Sequence, residues 1–159
     1  MNIGFQIDEI DRLNIKTDSS LPLILESQKR KNKNYYFLPG SLTYKNGSVY
    51  AEIREIKFND NKLKKYSIGK IQHTNLENFS HIFIRQDPPY NMEYVSSLHL
   101  LEQVKGSTKF INLPKGIRNA PEKISMLNYK KIIPPTIITR SKREVDFFVK
   151  KYGKSVIKP

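Results

Sequence analysis

Cysteine and tryptophan are both absent from the 159 residues. Without cysteine the chain has no disulfide framework and no thiolate zinc site, and a reducing cytoplasm is its expected location. Glycine is scarce and scattered, seven in all, and the chain carries neither a Gly-x-Gly-x-x-Gly dinucleotide fingerprint nor a P-loop. The three histidines, His73, His81 and His99, lie too far apart for metal-ligand spacing, and His81 and His99 read as structural. No apolar run approaches the roughly 20 residues of a membrane-spanning helix. The opening, Met1-Asn2-Ile3-Gly4-Phe5-Gln6-Ile7-Asp8, meets an acid too early for a secretory signal. Acidic residues are also few, 15 against 28 basic, for a net charge of +13.

What is present suffices for a folded core, since 38% of residues are apolar and 11% aromatic. At this length one domain of ordinary size with an appendage is the default. The charge is lopsided: residues 105–159 hold 14 basic and 3 acidic residues, whereas the first 104 are nearly balanced. Lys, Ile and Asn, the products of A/T-rich codons, supply 53 of the 159 residues, so base composition accounts for part of that charge. A basic last third otherwise points to a polyanion, nucleic acid or a phosphorylated cofactor.

Alternation at Ile3, Phe5 and Ile7 predicts a strand. Asp18-Ser19-Ser20 supplies helix-capping chemistry, Pro22 fits a first turn, and Leu21, Ile24 and Leu25 have helical spacing. A second strand is predicted at 35–38. A hairpin follows with its turn at Lys45-Asn46-Gly47-Ser48, because Asn-Gly readily takes the positive φ of a tight primed turn. A further β segment is expected near 66–71 and a loop or helical turn at 74–79. His81-Ile82-Phe83-Ile84-Arg85 reads as a buried strand that stops at Asp87-Pro88-Pro89. Tyr94, Val95, Leu98 and Leu101 mark a helix, and Lys109 to Asn112 the next strand. This alternation predicts an α/β domain over 1–119, with a mostly parallel sheet covered by helices and one inserted hairpin.

Residues 120–159 change character. The pattern predicts a helix from the box Asn119-Ala120-Pro121-Glu122 to Lys131, a strand at 136–139, a helix opened by Ser141-Lys142-Arg143-Glu144 and ended by Gly153, and a strand at 154–158. A strand–helix–strand unit of this size cannot bury its apolar face alone. It is expected either to dock on the first domain or to belong to something longer.

Open α/β sheets bind ligands beyond the carboxyl ends of their strands. The candidates there are Asp8, Asn14, Lys16, Ser19 and Ser20 after the first strand, Arg85, Gln86 and Asp87 after the fourth, and Asn112 after the fifth. The helix start at Ser19–Ser20 offers N–H donors for a carboxylate or phosphate, and Arg85 can fork onto a carboxylate. The plain alternative is that Asp18 and Ser19 only cap and Arg85 only pairs with Asp87. Lys123 falls in the first turn of its predicted helix, where a cation opposes the helix dipole unless an anion lies beside it. Lys158 sits at the mouth of the last predicted strand. Two lysines converging on one polyphosphate is the functional reading; membership of a lysine-rich surface is the plain one. Tyr35-Tyr36 and Phe147-Phe148 read as core and edge rather than as base-stacking platforms.

Four stretches, in order, resemble the N-terminal half of a prokaryotic glutathione synthetase, an ATP-grasp ligase. They are Asn14-Ile15-Lys16-Thr17-Asp18-Ser19-Ser20 with Glu26-Ser27-Gln28-Lys29-Arg30; Ile84-Arg85-Gln86-Asp87-Pro88-Pro89-Tyr90; Ile111-Asn112-Leu113-Pro114 leading to Arg118-Asn119-Ala120-Pro121-Glu122-Lys123; and Pro135-Thr136 through Arg140 to Ile157-Lys158-Pro159. The resemblance implies a Rossmann-like pre-ATP-grasp domain over 1–119 and the truncated beginning of an ATP-grasp domain over 120–159. It implies ADP-forming ligation of glycine to γ-glutamylcysteine through an acyl phosphate, with ATP and Mg2+, in the cytoplasm. Lys123 and Lys158 match the family's ATP-phosphate lysines, and Ser19, Ser20 and Arg85 match motifs on the peptide-substrate side.

The resemblance implies no metal ligand in this chain and leaves its catalytic residues unassigned. The family continues past the Lys-Pro into a glycine-rich loop, so magnesium ligands and substrate arginines are expected in a missing C-terminal half. This chain alone is expected to be inactive, and the completed protein to be a homo-oligomer with no membrane partner. The glycine that usually follows the first helix is replaced by Lys31-Asn32, and Ser27 and Pro121 also depart from the family pattern. Two other readings are open: another ATP-grasp ligase with a different acyl acceptor, and a basic nucleic-acid-binding module. The second rests on charge alone, since no nucleic-acid motif accompanies it.

Overall fold

A computed structural model of the chain describes residues 1–59, 63 and 65–158. It divides into two compact units, Met1–Asn119 and Ala120–Pro159.

The first unit is built on strand β1 (Asn2–Gln6), which pairs in parallel with β2 (Lys33–Phe37) on one side and with β7 (His81–Ile84) on the other. Strand β8 (Lys109–Ile111) continues the parallel run beside β7. The hairpin β3 (Thr43–Lys45) to β4 (Ser48–Phe58) turns at Asn46 and Gly47, with φ of 51° and 85°, as a primed turn requires. Strand β4 then pairs antiparallel with β2, with β5 (Tyr66–Ile68) and with β6 (Gln72–Asn75). The path through the sheet is β3-β4-β2-β1-β7-β8.

The sheet is therefore mixed rather than mostly parallel: three strand pairings are parallel and four antiparallel among the described residues. The antiparallel share exceeds the one inserted hairpin of the sequence expectation because β4 is 11 residues long and recruits two short strands, not the single β segment expected near 66–71. Strand β4 also changes sides. Val49, Ala51 and Ile53 join one core cluster, whereas Ile56 and Phe58, of opposite parity, join the other.

Two helices cover the two faces. Helix α1 (Ser20–Lys29) lays Leu21, Ile24 and Leu25 on Ile3 and Phe5 of β1 and on Ile7 just beyond it. Helix α2 (Met92–Leu101) lays Tyr94, Leu98 and Leu101 on Ile82, Ile84 and Phe37. Burying Leu21 and Ile24 fully is worth about 1.5–3 kcal/mol each. The amide of Gln28 fastens α1 to β4, donating to the Phe58 carbonyl at 2.9 Å and accepting from the Phe58 N–H at 2.8 Å. Buried Asn34 fastens α1 to β2, accepting from the Ser27 hydroxyl at 2.6 Å and donating to the Ile24 carbonyl at 3.3 Å.

Helix α1 ends in a Schellman motif. The Lys31 N–H donates to the Gln28 carbonyl at 2.8 Å and the Asn32 N–H to the Ser27 carbonyl at 3.2 Å, with Lys31 at φ 62°. That left-handed residue is where the resemblance expects glycine. Lys31→Gly should raise stability by about 0.5–1 kcal/mol in a urea titration, because relief of the left-handed cost exceeds the extra freedom gained by the unfolded chain. A lower midpoint would refute this account of the turn.

A short helix α3 (Pro114–Asn119), not anticipated in the sequence, closes the first unit. Its Arg118 forms a two-point pair with Glu102 at 2.9 and 3.3 Å. The Arg118 hydrogen bond holds the Glu102 carboxyl below its ordinary pKa, against the opposing effect of burial. A depressed carboxylate stabilises the fold above its unfolded pKa, and that contribution disappears as pH falls through the folded value. Glu102→Gln should accordingly flatten the acid limb of a stability–pH curve while leaving the slope near neutrality unchanged.

In the second unit, α4 (Glu122–Ser125) is one turn, followed by a 3-10 turn, Met126–Tyr129. The predicted long helix to Lys131 does not form, and Asn119 ends α3 instead of capping α4, whose cap position is Pro121. The Glu122 side chain lies outside the described residues. Helix α5 (Lys142–Tyr152) starts as expected, the Ser141 hydroxyl accepting from the Glu144 N–H at 3.4 Å, and Gly153 terminates it at φ 74°. Residues 136–139 and 155–158 join no ladder among the described residues, contrary to the two predicted strands. Pro159, at the end of the last quoted motif, lies outside the described residues.

Candidate functional site

Strands β2, β1 and β7 are parallel, so their carboxyl ends open onto one edge of the sheet. Connections from β1 lead to α1 on one face, and those from β7 lead to α2 on the other. The edge between β1 and β7 is thus a topological switch point, where α/β sheets leave a crevice.

On the α1 side, Arg85 follows the last residue of β7 and turns away from α2. Its guanidinium donates to the Ser19 hydroxyl at 2.5 Å and to the Ser20 hydroxyl at 3.4 Å. The three residues picked from the sequence are therefore together, and Arg85 does not pair with Asp87. Ser20 is fully buried, whereas Ser19 is exposed. The helix start itself is not open to an anion. Asp18 already accepts from the Ser20 and Leu21 N–H groups at 2.8 and 3.0 Å and from the Ser20 hydroxyl at 3.3 Å. The side chain that satisfies the helix start is thus Asp18, one residue before the cap position Ser19, which leaves the Arg85 guanidinium and the Ser19 hydroxyl, rather than backbone donors, as the polar groups at this edge.

On the α2 side lies a crevice of about 500 Å³. Asp8 and Glu9 line it after β1, Leu38 and Pro39 after β2, and Gln86 and Asp87 after β7. The carboxylate of Asp8 accepts from the Asp87 N–H at 2.8 Å, which ties the two loops together. Asn91 caps α2, accepting from the Tyr94 N–H at 3.0 Å, and with Glu93 and Arg12 completes the wall. Four carboxylates face one guanidinium here, in a chain whose net charge is +13. Burial, reinforced by Tyr90, Asp8 and Asp87 and opposed by Arg85, pushes the Tyr94 phenol up. Tyr94 stays neutral and donates to the Gln86 carbonyl at 3.4 Å. Fully buried Gln6, the last residue of β1, has no hydrogen-bond partner for either amide atom among the described residues.

The remaining candidates scatter. Asn14 closes a local turn, its side chain accepting from the Lys16 N–H at 3.0 Å, and Lys16 and Asn112 are exposed. Lys123 sits in a helix of one turn, too short to carry the dipole expected of a helix running to Lys131. Lys158 is exposed at the end of an extended segment rather than at the mouth of a strand. Sequence reading overlooked Glu9, Arg12, Asn91 and Glu93. Of these only Asn91 left a signal, as a capping residue before an apolar helix. Among the described residues no three Asp, Glu or His side chains group as a metal site, and no helix is long and apolar enough to cross a membrane.

Mixed sheet, helices on both faces and a charged crevice at the switch point define an α/β domain with a candidate site at its strand ends. Comparison with known proteins narrows the class. Residues 1–118 match the family described as prokaryotic glutathione synthetase, N-terminal domain, and the chain belongs to that family. All 159 residues align at 34% identity with a glutathione synthetase of Rhodopseudomonas palustris and at 35% with those of Mesorhizobium japonicum and Bradyrhizobium diazoefficiens. In each case the alignment covers 51% of the relative, so the chain spans about half the length of the curated relatives it matches.

Proposed function

We propose that this chain supplies one half of a glutathione synthetase: an ATP-dependent, ADP-forming ligase that joins glycine to γ-glutamylcysteine through an acyl phosphate. The observation that carries the reading is the family match over 1–118, extended to the whole chain by relatives that bear that name. The first unit is then the Rossmann-like pre-ATP-grasp domain and the second the beginning of the ATP-grasp domain.

The switch-point edge is the peptide-substrate side. The glutamyl end of γ-glutamylcysteine carries an ammonium and a carboxylate. Asp8, Asp87 and Glu93 suit the first, and Arg85 with Ser19 and Ser20 suits the second. Lys123 and Lys158, both exposed, hold ATP phosphates and neutralise charge as the acyl phosphate forms. ATP when bound supplies the phosphoryl group that activates the peptide carboxylate. Mg2+ would accompany the nucleotide phosphates, and its carboxylate ligands are assigned to the other half. A cytoplasmic homo-oligomer is the expected complete form.

The acidic crevice argues against nucleic acid at this site, because four carboxylates around one guanidinium repel a phosphate backbone. The test is ligation by a single polypeptide joining this chain to the second half of the Rhodopseudomonas palustris enzyme. Glycine-dependent release of ADP with γ-glutamylcysteine is the expected result. Turnover with other acceptors but not with glycine would point to a different ligase. No turnover with any acceptor, when the Rhodopseudomonas palustris enzyme itself is active, would reject the reading.

A further inference from the structure

Four polar residues are buried among the described residues, and three of them have partners for their side chains. Ser20 bonds Asp18 and Arg85, Asn34 bonds Ser27 and Ile24, and the Ser97 hydroxyl donates to the Tyr94 carbonyl at 2.8 Å. Gln6 is the exception, with neither amide atom partnered. A buried amide without partners forfeits its hydration and gains no hydrogen bond, so its presence calls for a reason outside the packing.

Its place in the sheet supplies one. Gln6 ends β1, level with Phe37 of β2 and Ile84 of β7. Both partners belong to the core under α2, and residues paired across strands share a face. Gly4, two residues earlier in the same row, agrees: a Cβ there would meet Ile82 at 3.2 Å and then Phe37 and Phe79. Two residues further along the three strands come Asp8, Pro39 and Gln86, and all three line the crevice. Gln6 is thus the last residue of its row beneath the crevice. The walls above it carry Asp8, Glu9, Asp87 and Glu93 against Arg12, which favours a cation. The amide adds what carboxylates lack, a neutral acceptor beside a donor. The head of an α-amino acid is the complement, an ammonium beside a carboxylate oxygen.

We propose that Gln6 is a specificity-determining residue of this site. Its amide turns up into the crevice, Oε1 accepting from the α-ammonium of the ligand and Nε2 donating to the adjoining carboxylate. The inference rests on the reading above that this edge takes a γ-glutamyl peptide. It adds the group that tells a free amino-acid head from one that lacks the ammonium or carries an acyl group on it. A site built to hydrogen-bond a polar group rejects analogues that leave its own groups unpaired. The same arrangement sets ligand choice against the stability of the unliganded fold.

The experiment uses the polypeptide that joins this chain to the second half of the Rhodopseudomonas palustris enzyme. The probes are γ-glutamylcysteine, its N-acetyl form, and glutarylcysteine, which lacks the ammonium. Calorimetry without ATP reads binding, and a urea titration of the 159-residue chain reads stability. The wild type should prefer γ-glutamylcysteine to either analogue about a hundredfold, and Gln6→Met should shrink that preference about tenfold. Because Met is apolar and of similar size, Gln6→Met should also raise the urea midpoint. Gln6→Glu, which keeps an acceptor for the ammonium, should retain the preference. A preference that shrinks in Gln6→Met, in a polypeptide that never ligates glycine, would sustain the inference while the ligase reading fails. Ligation with an undiminished preference in Gln6→Met would overturn the inference alone. A lower urea midpoint in Gln6→Met would place the partner of the amide inside the unliganded fold and overturn it, as would binding of none of the three probes.

Discussion

Phe5→Ala is expected to remove about 3–5 kcal/mol of stability, the largest loss of any single change considered. Phe5 is fully buried in the central strand of the parallel run and stacks on Phe83 with ring centroids 4.9 Å apart. The cavity opens between β1 and β7, the two strands whose ends carry Asp8 and Arg85. Domains of this kind have roughly 5–15 kcal/mol to lose, so the variant should unfold at markedly lower urea and lose the crevice with it. Phe5→Leu, which keeps most of the volume, should recover most of the difference. Equal losses from both changes would mean that packing at this position is not what holds the strands together.

Lys158→Ala and Lys123→Ala, each placed in the polypeptide that joins this chain to a relative's second half, should weaken ATP binding by about 1.5–3 kcal/mol. That is roughly ten- to hundredfold in Kd. The reasoning is electrostatic: a triphosphate tail needs cations that reach it, and both ammonium groups sit on an exposed surface. Lys130→Ala, another lysine of the same unit, is the control and should leave binding within twofold. Isothermal titration with a non-hydrolysable ATP analogue measures all three. Wild-type affinity in both lysine variants would remove their assignment without touching that of Arg85.

Short-range signals carried the first unit. The Asn46-Gly47 turn, the proline stop after β7, and the α1 and α2 stripes were all legible, because each depends on a few adjacent side chains and their own backbone. The sheet's balance of parallel and antiparallel pairs was not. It hinges on where β4 crosses from one core to the other, between Ile53 and Ile56, and that is decided by partners distant in sequence. The second unit misled for a different reason. Residues 120–131 carry helix-starting chemistry, but only a four-residue turn and a 3-10 turn form there. The apolar alternation at 136–139 and 155–158 describes what those segments are suited to, not what they pair with in this chain. Ser19, Ser20 and Arg85, singled out through the family motifs, are in contact, the arginine donating to both hydroxyls. The acid-lined crevice was not legible, because Glu9, Arg12 and Glu93 converge only after the sheet assembles.

The most direct test of the central claim is a crystal structure of the joined polypeptide with γ-glutamylcysteine and ADP. The account predicts the glutamyl carboxylate against Arg85 and Ser19, its ammonium in the crevice by Asp8 and Glu93, and the nucleotide phosphates within hydrogen-bond reach of Lys123 and Lys158. Peptide bound away from the β1–β7 edge, or phosphates held with both lysines turned to solvent, would contradict it.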